Sequence, residues 1–269
     1  MDRIAVIGGS GMEKLPPDYH ITPIEVEIEK RVVTVYQAQR GENGFVFLSR
    51  HGSNHQIAPH EIDYRANMEA LSQLGITRIF ATNAVGSLRL DLKSGSLVLL
   101  SDFLDFTRKR PLSYWESGNH PYGVVHTDFS VPYCPEIRAA IMAAAEKTDT
   151  PLVTEGVYLC VDGPRFESPA EVRLFARWGA DVVGMTGLPE AIFAREAGIC
   201  YAGLAIVTNF GAGLTPEEVD NDDVQANMAI YAESVRSLLL EAMLLLPTVS
   251  QCRCPFGHPA RRGSHSAHG

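Results

Sequence analysis

The sequence predicts a single-domain α/β fold, on three observations. Strand-like runs rich in Val, Ile and aromatic residues recur along the chain and close on Gly or Asn. Segments with helical spacing of apolar residues lie between several of them. Neither an internal repeat nor a Pro/Gly/Ser linker divides residues 1–246 into two cores. Residues 247–269 are rich in Gly, Ser and Arg and read as a disordered tail.

The elements follow in order. IAVIGG opens the chain; its apolar run Ile4 to Ile7 is too short for a signal-peptide core and runs straight into a glycine turn, as a first buried strand does. RVVTVYQAQ and GFVFLSRHG follow as strands. Residues 61–74 place Tyr64, Met68 and Leu71 at helical spacing, with Gly75 as the stop. The strands RIFATNAVGS and GSLVLLSDFLD precede a helix over 135–147. EGVYLCVDG then leads to a helix over 169–178, and ADVVGMTG and CYAGLAIVTNF complete the strands. The last helix runs from about Asp222 to Leu246, with Met228, Tyr231, Val235, Leu238 and Leu239 on its apolar face.

Composition narrows the function classes. The chain has 269 residues, is 45% hydrophobic and carries a net charge of −9, with a mean hydropathy of −0.02. That is the balance of a soluble globular protein with a sizeable core. The pair Arg261 and Arg262 in the tail is too short to make the electrostatic footprint of a nucleic-acid binder. An anionic ligand must be held by local groups. The longest apolar stretch, Leu238 to Leu246, is interrupted by Glu241 and falls short of the roughly 20 residues that span a bilayer. Five cysteines, an odd number without framework spacing, fit a reduced, cytoplasmic protein. Cys252 and Cys254 lie near His258, His265 and His268, but this CxC lacks a second pair at zinc-finger spacing.

Four strand ends carry polar groups beside glycine. GGSG at 8–11 offers backbone N–H groups and the Ser10 hydroxyl to an anion, or is an ordinary tight turn. RHG at 50–52 sets Arg50 to fork onto phosphate with His51 beside it, or is a solvated strand end. ATNAVGS at 81–87 brings Asn83 and small residues that let backbone approach a ligand. In GMTGLPE, Thr186 precedes a helix that starts at Pro189, suited to an anion or to simple capping. Their recurrence points to one phosphate-lined crevice.

DGPRFESPAE is the most informative segment. Ser168 and Glu171 form a capping box with Pro169 at the first helical position. Glu167 then stands just before a helix start, where the positive end of the dipole favours its carboxylate form. Phe166 beside it is suited to stack on a planar ring. A charged acceptor next to an aromatic plane describes a site for a heterocycle. In LAIVTNFGAG the side-chain amide of Asn209 can donate and accept, or can cap the strand end.

In this order GGSG, RHG, TNAVGSL, GPRFES, GMTGLPE and AGICYAGLAIVTN resemble the trimeric purine nucleoside phosphorylase and methylthioadenosine phosphorylase family, over about residues 3–246. The resemblance implies a mixed central β-sheet flanked by helices and a homotrimer. It implies a phosphate site formed by Ser10, Arg50, His51, Asn83, Ala84 and Thr186, with inorganic phosphate as co-substrate and neither metal nor organic cofactor. By the same matching, Glu167 and Asn209 act on the base with Phe166, and Met185 lies beneath the ribose. His126 in GVVHTDFS would reach the neighbouring subunit's site. The 5′ end of the sugar would meet Val219 to Val224. Adenine-specific members carry Ser and Asp where this chain has Glu167 and Asn209, so the expected substrate is a 6-oxopurine nucleoside: S-methyl-5′-thioinosine, inosine or guanosine. The alternatives are S-methyl-5′-thioadenosine as substrate and a non-catalytic nucleoside-binding protein.

Overall fold

The computed structural model describes residues 3–9, 12, 16–52, 56–115, 125–216 and 218–260. Among the described residues nine strands make one mixed sheet. They are β1 (Arg3–Gly8), β2 (His20–Ile28), β3 (Arg31–Arg40), β4 (Asn43–Ser49), β5 (Ile76–Ser87), β6 (Leu97–Asp105), β7 (Leu152–Cys160), β8 (Val182–Gly184) and β9 (Cys200–Phe210). Their order is β2-β3-β4-β1-β5-β8-β7-β6-β9, and β9 also pairs with β5, so the last five strands close into a ring.

Four strands, β4, β1, β5 and β9, run parallel to one another. Their sequences are nearly continuous apolar runs because both faces are covered. Their carboxyl ends therefore open together at one edge, where ligands of open α/β sheets bind. At the far side β2 pairs with β3 alone. No expected strand corresponds to β2. Its run HITPIEVEI alternates Glu25 and Glu27 with apolar residues and contains Pro23, a pattern suited to an edge.

Helices cover both faces. On one side, α2 (Pro135–Lys147) and α5 (Asn221–Leu244) pack Ile137, Ile141, Val235 and Leu238 against Phe80, Leu99 and Leu204. On the other, α1 (Tyr64–Gln73) and α4 (Glu190–Glu196) bury Met68, Leu71 and Phe193 with Ile79 and Val207. Each such side chain stabilises the fold by about 1.5 to 3 kcal/mol. Asp63 caps α1 by accepting from the Ala66 N–H. The capping box of α3 (Pro169–Arg177) forms in full between Ser168 and Glu171.

Two expectations are corrected. Pro189 occupies the N-cap of α4, and the helix begins at Glu190. The stretch after Pro247 is ordered as far as residue 260 and packs on the body, with a 3-10 turn at Cys254–Gly257 and Cys254 buried. The cause is Glu136, in the first turn of α2, which accepts from the Gln251 and Cys252 N–H groups and from the Ser250 hydroxyl. His258 meets Trp115 ring to edge at 5.2 Å. The remainder of the expected tail, 261–269, lies outside the described residues.

Candidate active site

A cleft of about 200 Å³ lies at the carboxyl edge of the parallel strands. β1 supplies Gly9 just past its end, β4 is followed by Arg50 and His51, β5 carries Ala84 and Gly86, and β9 carries Thr208 and Asn209. Phe166 and Glu167 enter from the loop before α3, Met185 and Thr186 from the loop before α4, and Val224 from the first turn of α5.

The cationic end centres on Arg50, whose side chain is wholly buried. Its Nε and Nη2 donate to the two carboxylate oxygens of Glu190 at 2.9 and 2.8 Å, and Nη1 donates to the Thr82 carbonyl at 3.0 Å. The fork expected for phosphate is therefore taken by Glu190. One N–H on each of Nη1 and Nη2 remains to face a ligand end-on. Burial alone would lower the proton affinity of this guanidinium; the Glu190 carboxylate outweighs it and holds the pKa above the ordinary range. Gly9 belongs here because a Cβ at this position would stand 3.0 Å from Arg50 Nη1.

His51 Nδ1 lies 2.8 Å from the Ile57 carbonyl, which can only accept, so Nδ1 carries the proton. Its Nε2 donates to an anion only in the imidazolium form. Thr186 lines the cleft, whereas Asn83 stands behind it and donates from Nδ2 to Thr186 Oγ1 at 3.2 Å. With that oxygen accepting from Asn83, the Thr186 proton is directed elsewhere and can serve an anion. The Thr186 and Gly187 N–H groups, expected at a helix start open to anions, donate to the buried Tyr158 hydroxyl at 3.2 and 3.1 Å. Ser10 lies outside the described residues.

At the opposite end Glu167 is 9% exposed, and its Oε1 has no hydrogen-bond partner among the described residues. Burial pushes its pKa above the ordinary carboxylate range. Desolvation is the largest influence, and a backbone N–H works against it. Arg165, two residues away, is committed to both carboxylate oxygens of Glu171. Asn209 Oδ1 accepts from the Thr208 hydroxyl and Nδ2 donates to the Phe210 carbonyl, each at 2.8 Å. These contacts fix the amide and leave one further donor and one acceptor position.

Met185 is held from behind. Arg110, buried, donates to its carbonyl at 2.6 Å, to that of Asp162 at 3.0 Å, and to that of Leu188. Gly163 makes room for the thioether, since a Cβ there would stand 2.5 Å from Met185 Sδ. The sequence reading missed Arg110, Tyr158 and Glu190. Arg110 sits in TRKRP, which looks like surface charge. Glu190 had a detectable signal, an acid leading the apolar run AIFA. His126 is exposed on its own chain and lines a separate surface cleft with Arg195 and Arg253.

The described geometry joins a cationic corner to a buried carboxylate, unpaired among the described residues, and an amide. Comparison with known proteins places the chain in a family. A model of the phosphorylase superfamily matches residues 3–244. The chain is 42% identical over 263 residues to the 6-oxopurine nucleoside phosphorylase of Pyrococcus furiosus, covering 94% of this chain and 97% of the relative. It is 40% identical over 254 residues to a probable S-methyl-5′-thioinosine phosphorylase of Methanosarcina acetivorans, covering 94% of each. Methylthioadenosine phosphorylase from Schistosoma mansoni, solved with adenine, superimposes with a TM-score of 0.84 at 34% identity, over 91% of this chain and 92% of that one. The chain belongs to the phosphorylase superfamily.

Proposed function

We propose that this chain catalyses the phosphorolysis of 6-oxopurine nucleosides, S-methyl-5′-thioinosine, inosine or guanosine, releasing the purine and the corresponding ribose 1-phosphate. The observation that carries the reading is Glu167 Oε1, an unpartnered buried carboxylate oxygen in the cleft that also holds Asn209. An ionised carboxylate only accepts, and the six-membered ring of a 6-oxopurine offers an N–H to it. Phe166 lies against the same space as a stacking surface.

Phosphate attacks the anomeric carbon, forming a C–O bond while the C–N bond breaks and its electron pair leaves with the purine. Positive charge grows on the sugar and negative charge on the base, so the two ends of the cleft have separate tasks. The outward N–H groups of Arg50, the His51 ring and the Thr186 hydroxyl hold phosphate beneath the sugar. Asn209 donates to the 6-carbonyl oxygen and, as the five-ring nitrogen takes a proton from solvent, accepts from that N–H. Met185 packs under the ribose and Val224 meets its 5′ substituent. Proximity and electrostatics supply the rate without a covalent enzyme intermediate. The reading assigns no step to a metal or an organic cofactor.

A homotrimer with sites completed by a neighbour's His126 goes with this proposal. It is supported by the exposed Val131, which lines the same surface cleft as His126. A cytoplasmic setting is supported by five unbridged cysteines. No described helix is long and apolar enough to cross a membrane.

Base release from methylthioinosine, inosine, guanosine and methylthioadenosine, each with and without phosphate, tests the proposal. The expected result is phosphate-dependent release with a preference for the 6-oxo substrates. Free sugar formed without phosphate, a preference for methylthioadenosine, or binding without release would overturn it.

A further inference from the structure

Away from the cleft, four cysteine sulfurs converge from three parts of the chain. Cys134 is the N-cap of α2, Cys200 opens β9, and Cys252 and Cys254 flank Arg253 in the segment after α5. All four Sγ atoms lie within 4.8 Å of one another, and those of Cys200 and Cys252 are 3.3 Å apart. Cys134, Cys200 and Cys254 are buried and Cys252 is half-buried.

The pattern of distances discriminates between chemistries. Disulfides would sort the sulfurs into pairs at about 2.0 Å. Ligands of tetrahedral zinc at about 2.3 Å from the ion stand about 3.8 Å from each other, every one near the other three. The four-way proximity here has the second form. We propose that Cys134, Cys200, Cys252 and Cys254 form a closed tetrathiolate site for Zn²⁺.

The surroundings suit such a centre. Four thiolates around a dication carry two net negative charges, which need nearby compensation. The amino end of α2 supplies part of it from the Cys134 side, where the Glu136 and Ile137 N–H groups lack intrahelical partners and Pro135 has no N–H to offer. Arg78, buried, is the register partner of Cys200 across β5 and β9 and so lies on the same face of the sheet. Loading the site from thiols forms four S–Zn bonds and releases four protons, with no change in oxidation state. With four protein ligands no coordination position stays open, so the role is structural.

The ion would fasten the segment after α5 to the beginnings of α2 and β9. That segment in turn braces α4: a Cβ at Gly257 would stand 2.0 Å from the Arg195 carbonyl oxygen. α4 begins at Glu190, the partner of Arg50. The CxC that lacks a second pair in the sequence finds one in space, because Cys134 and Cys200 are carried to it by an α-helix cap and a strand start.

The test uses the full chain, purified without metal-affinity resin or chelator and kept in a phosphine reductant. Elemental mass spectrometry is expected to find one zinc per chain. Reconstitution of the metal-stripped protein with Co²⁺ alone is expected to give thiolate-to-cobalt charge-transfer bands and the visible bands of a tetrahedral centre. Cys252→Ser combined with Cys254→Ser is expected to lose both signals while keeping the native circular dichroism spectrum. Should this variant misfold, the wild-type cobalt spectrum decides by itself. Four freely titrating thiols with no metal taken up would overturn the proposal, as would recovery of the cysteines in disulfides under reductant.

Discussion

Arg50 and Glu190, 140 residues apart in the chain, meet as a doubly hydrogen-bonded ion pair from which solvent is excluded on both sides. The Tyr201 hydroxyl adds a third contact, donating to Glu190 Oε1 at 2.7 Å. The pair joins the end of β4 to the start of α4 and fixes which edge of the guanidinium can face the cleft. A residue expected to serve phosphate alone is thus also a fastener of the fold.

Breaking that pair should cost stability and change the response to phosphate together. Glu190→Gln leaves a buried guanidinium without its counter-charge, and is expected to destabilise the protein by about 3 to 5 kcal/mol. Phosphate, binding the uncompensated Arg50, should restore part of this loss. Urea denaturation with and without phosphate measures both. The paired change Arg50→Met with Glu190→Leu should recover stability, since apolar replacement of a buried ion pair is often neutral. It should nevertheless abolish saturation by phosphate. Normal phosphate dependence in the double variant would remove Arg50 from the anion site.

Tyr158→Phe removes one oxygen that accepts from two backbone N–H groups, those of Thr186 and Gly187. Each N–H left buried and unpaired costs about 1 to 3 kcal/mol. The ring packs so closely that a Cβ at Gly184 would stand 2.9 Å from it and one at Gly187 2.7 Å, which leaves no room for water to substitute. The variant should therefore melt earlier and show a raised KM for phosphate, because the loop bearing Thr186 loosens. An unchanged KM beside a lowered Tm would confine Tyr158 to folding.

Glu167→Gln is expected to stabilise the unliganded protein while impairing turnover. The native pKa of Glu167 is raised by burial, so the folded state binds the proton more tightly than the unfolded chain does. The stability that protonation confers is complete below the ordinary carboxylate value. It is lost as pH rises through the raised native value, and the neutral amide escapes that loss. The gain in Tm should thus be near zero in acid and reach its full size, on the order of 1 to 3 kcal/mol, at neutral pH. Melting curves across this range check it; a difference independent of pH would mean that Glu167 is not desolvated.

The sheet and most helices were legible because hydrophobic period and punctuation coincide there: Gly75 does follow α1, and the capping box at Ser168 does start α3. β2 was not, since its alternation of charge with apolar residues and its proline are those of an edge, which resembles a loop in a linear reading. Within the cleft, the sequence indicated residues at strand ends and before a helix start that touch the cavity, such as Arg50, Phe166, Glu167 and Asn209. It did not reveal partners that meet only in three dimensions. Glu190, Tyr158 and Arg110 lie 140, 28 and 75 residues from the groups they hold, and Cys134 lies far from Cys252. A local motif carries no record of such pairings.

The choice of base rests on Glu167 and Asn209 together. Ionised Glu167 accepts from the ring N–H of a 6-oxopurine, whereas adenine turns an unprotonated nitrogen toward the same carboxylate. Two acceptors then face each other without a proton between them, at a cost of about 1 to 3 kcal/mol or more for a charged group. Since 1.4 kcal/mol is a factor of about ten, the wild type should prefer methylthioinosine over methylthioadenosine by about tenfold to a hundredfold in kcat/KM. Glu167→Ser with Asn209→Asp should shrink or reverse the ratio, because an aspartate accepts both from a 6-amino group and from the protonated five-ring nitrogen. The local geometry adds a condition. Asn209 Nδ2 donates to the Phe210 carbonyl at 2.8 Å, so a carboxylate in its place sets two oxygens against each other and must rotate. The Asn209→Asp change by itself should therefore lower kcat/KM for both substrates before any preference shows, and the double variant should recover activity on the 6-amino substrate alone. A wild type that already prefers methylthioadenosine, or a double variant with an unaltered ratio, would show that these two side chains do not read the base.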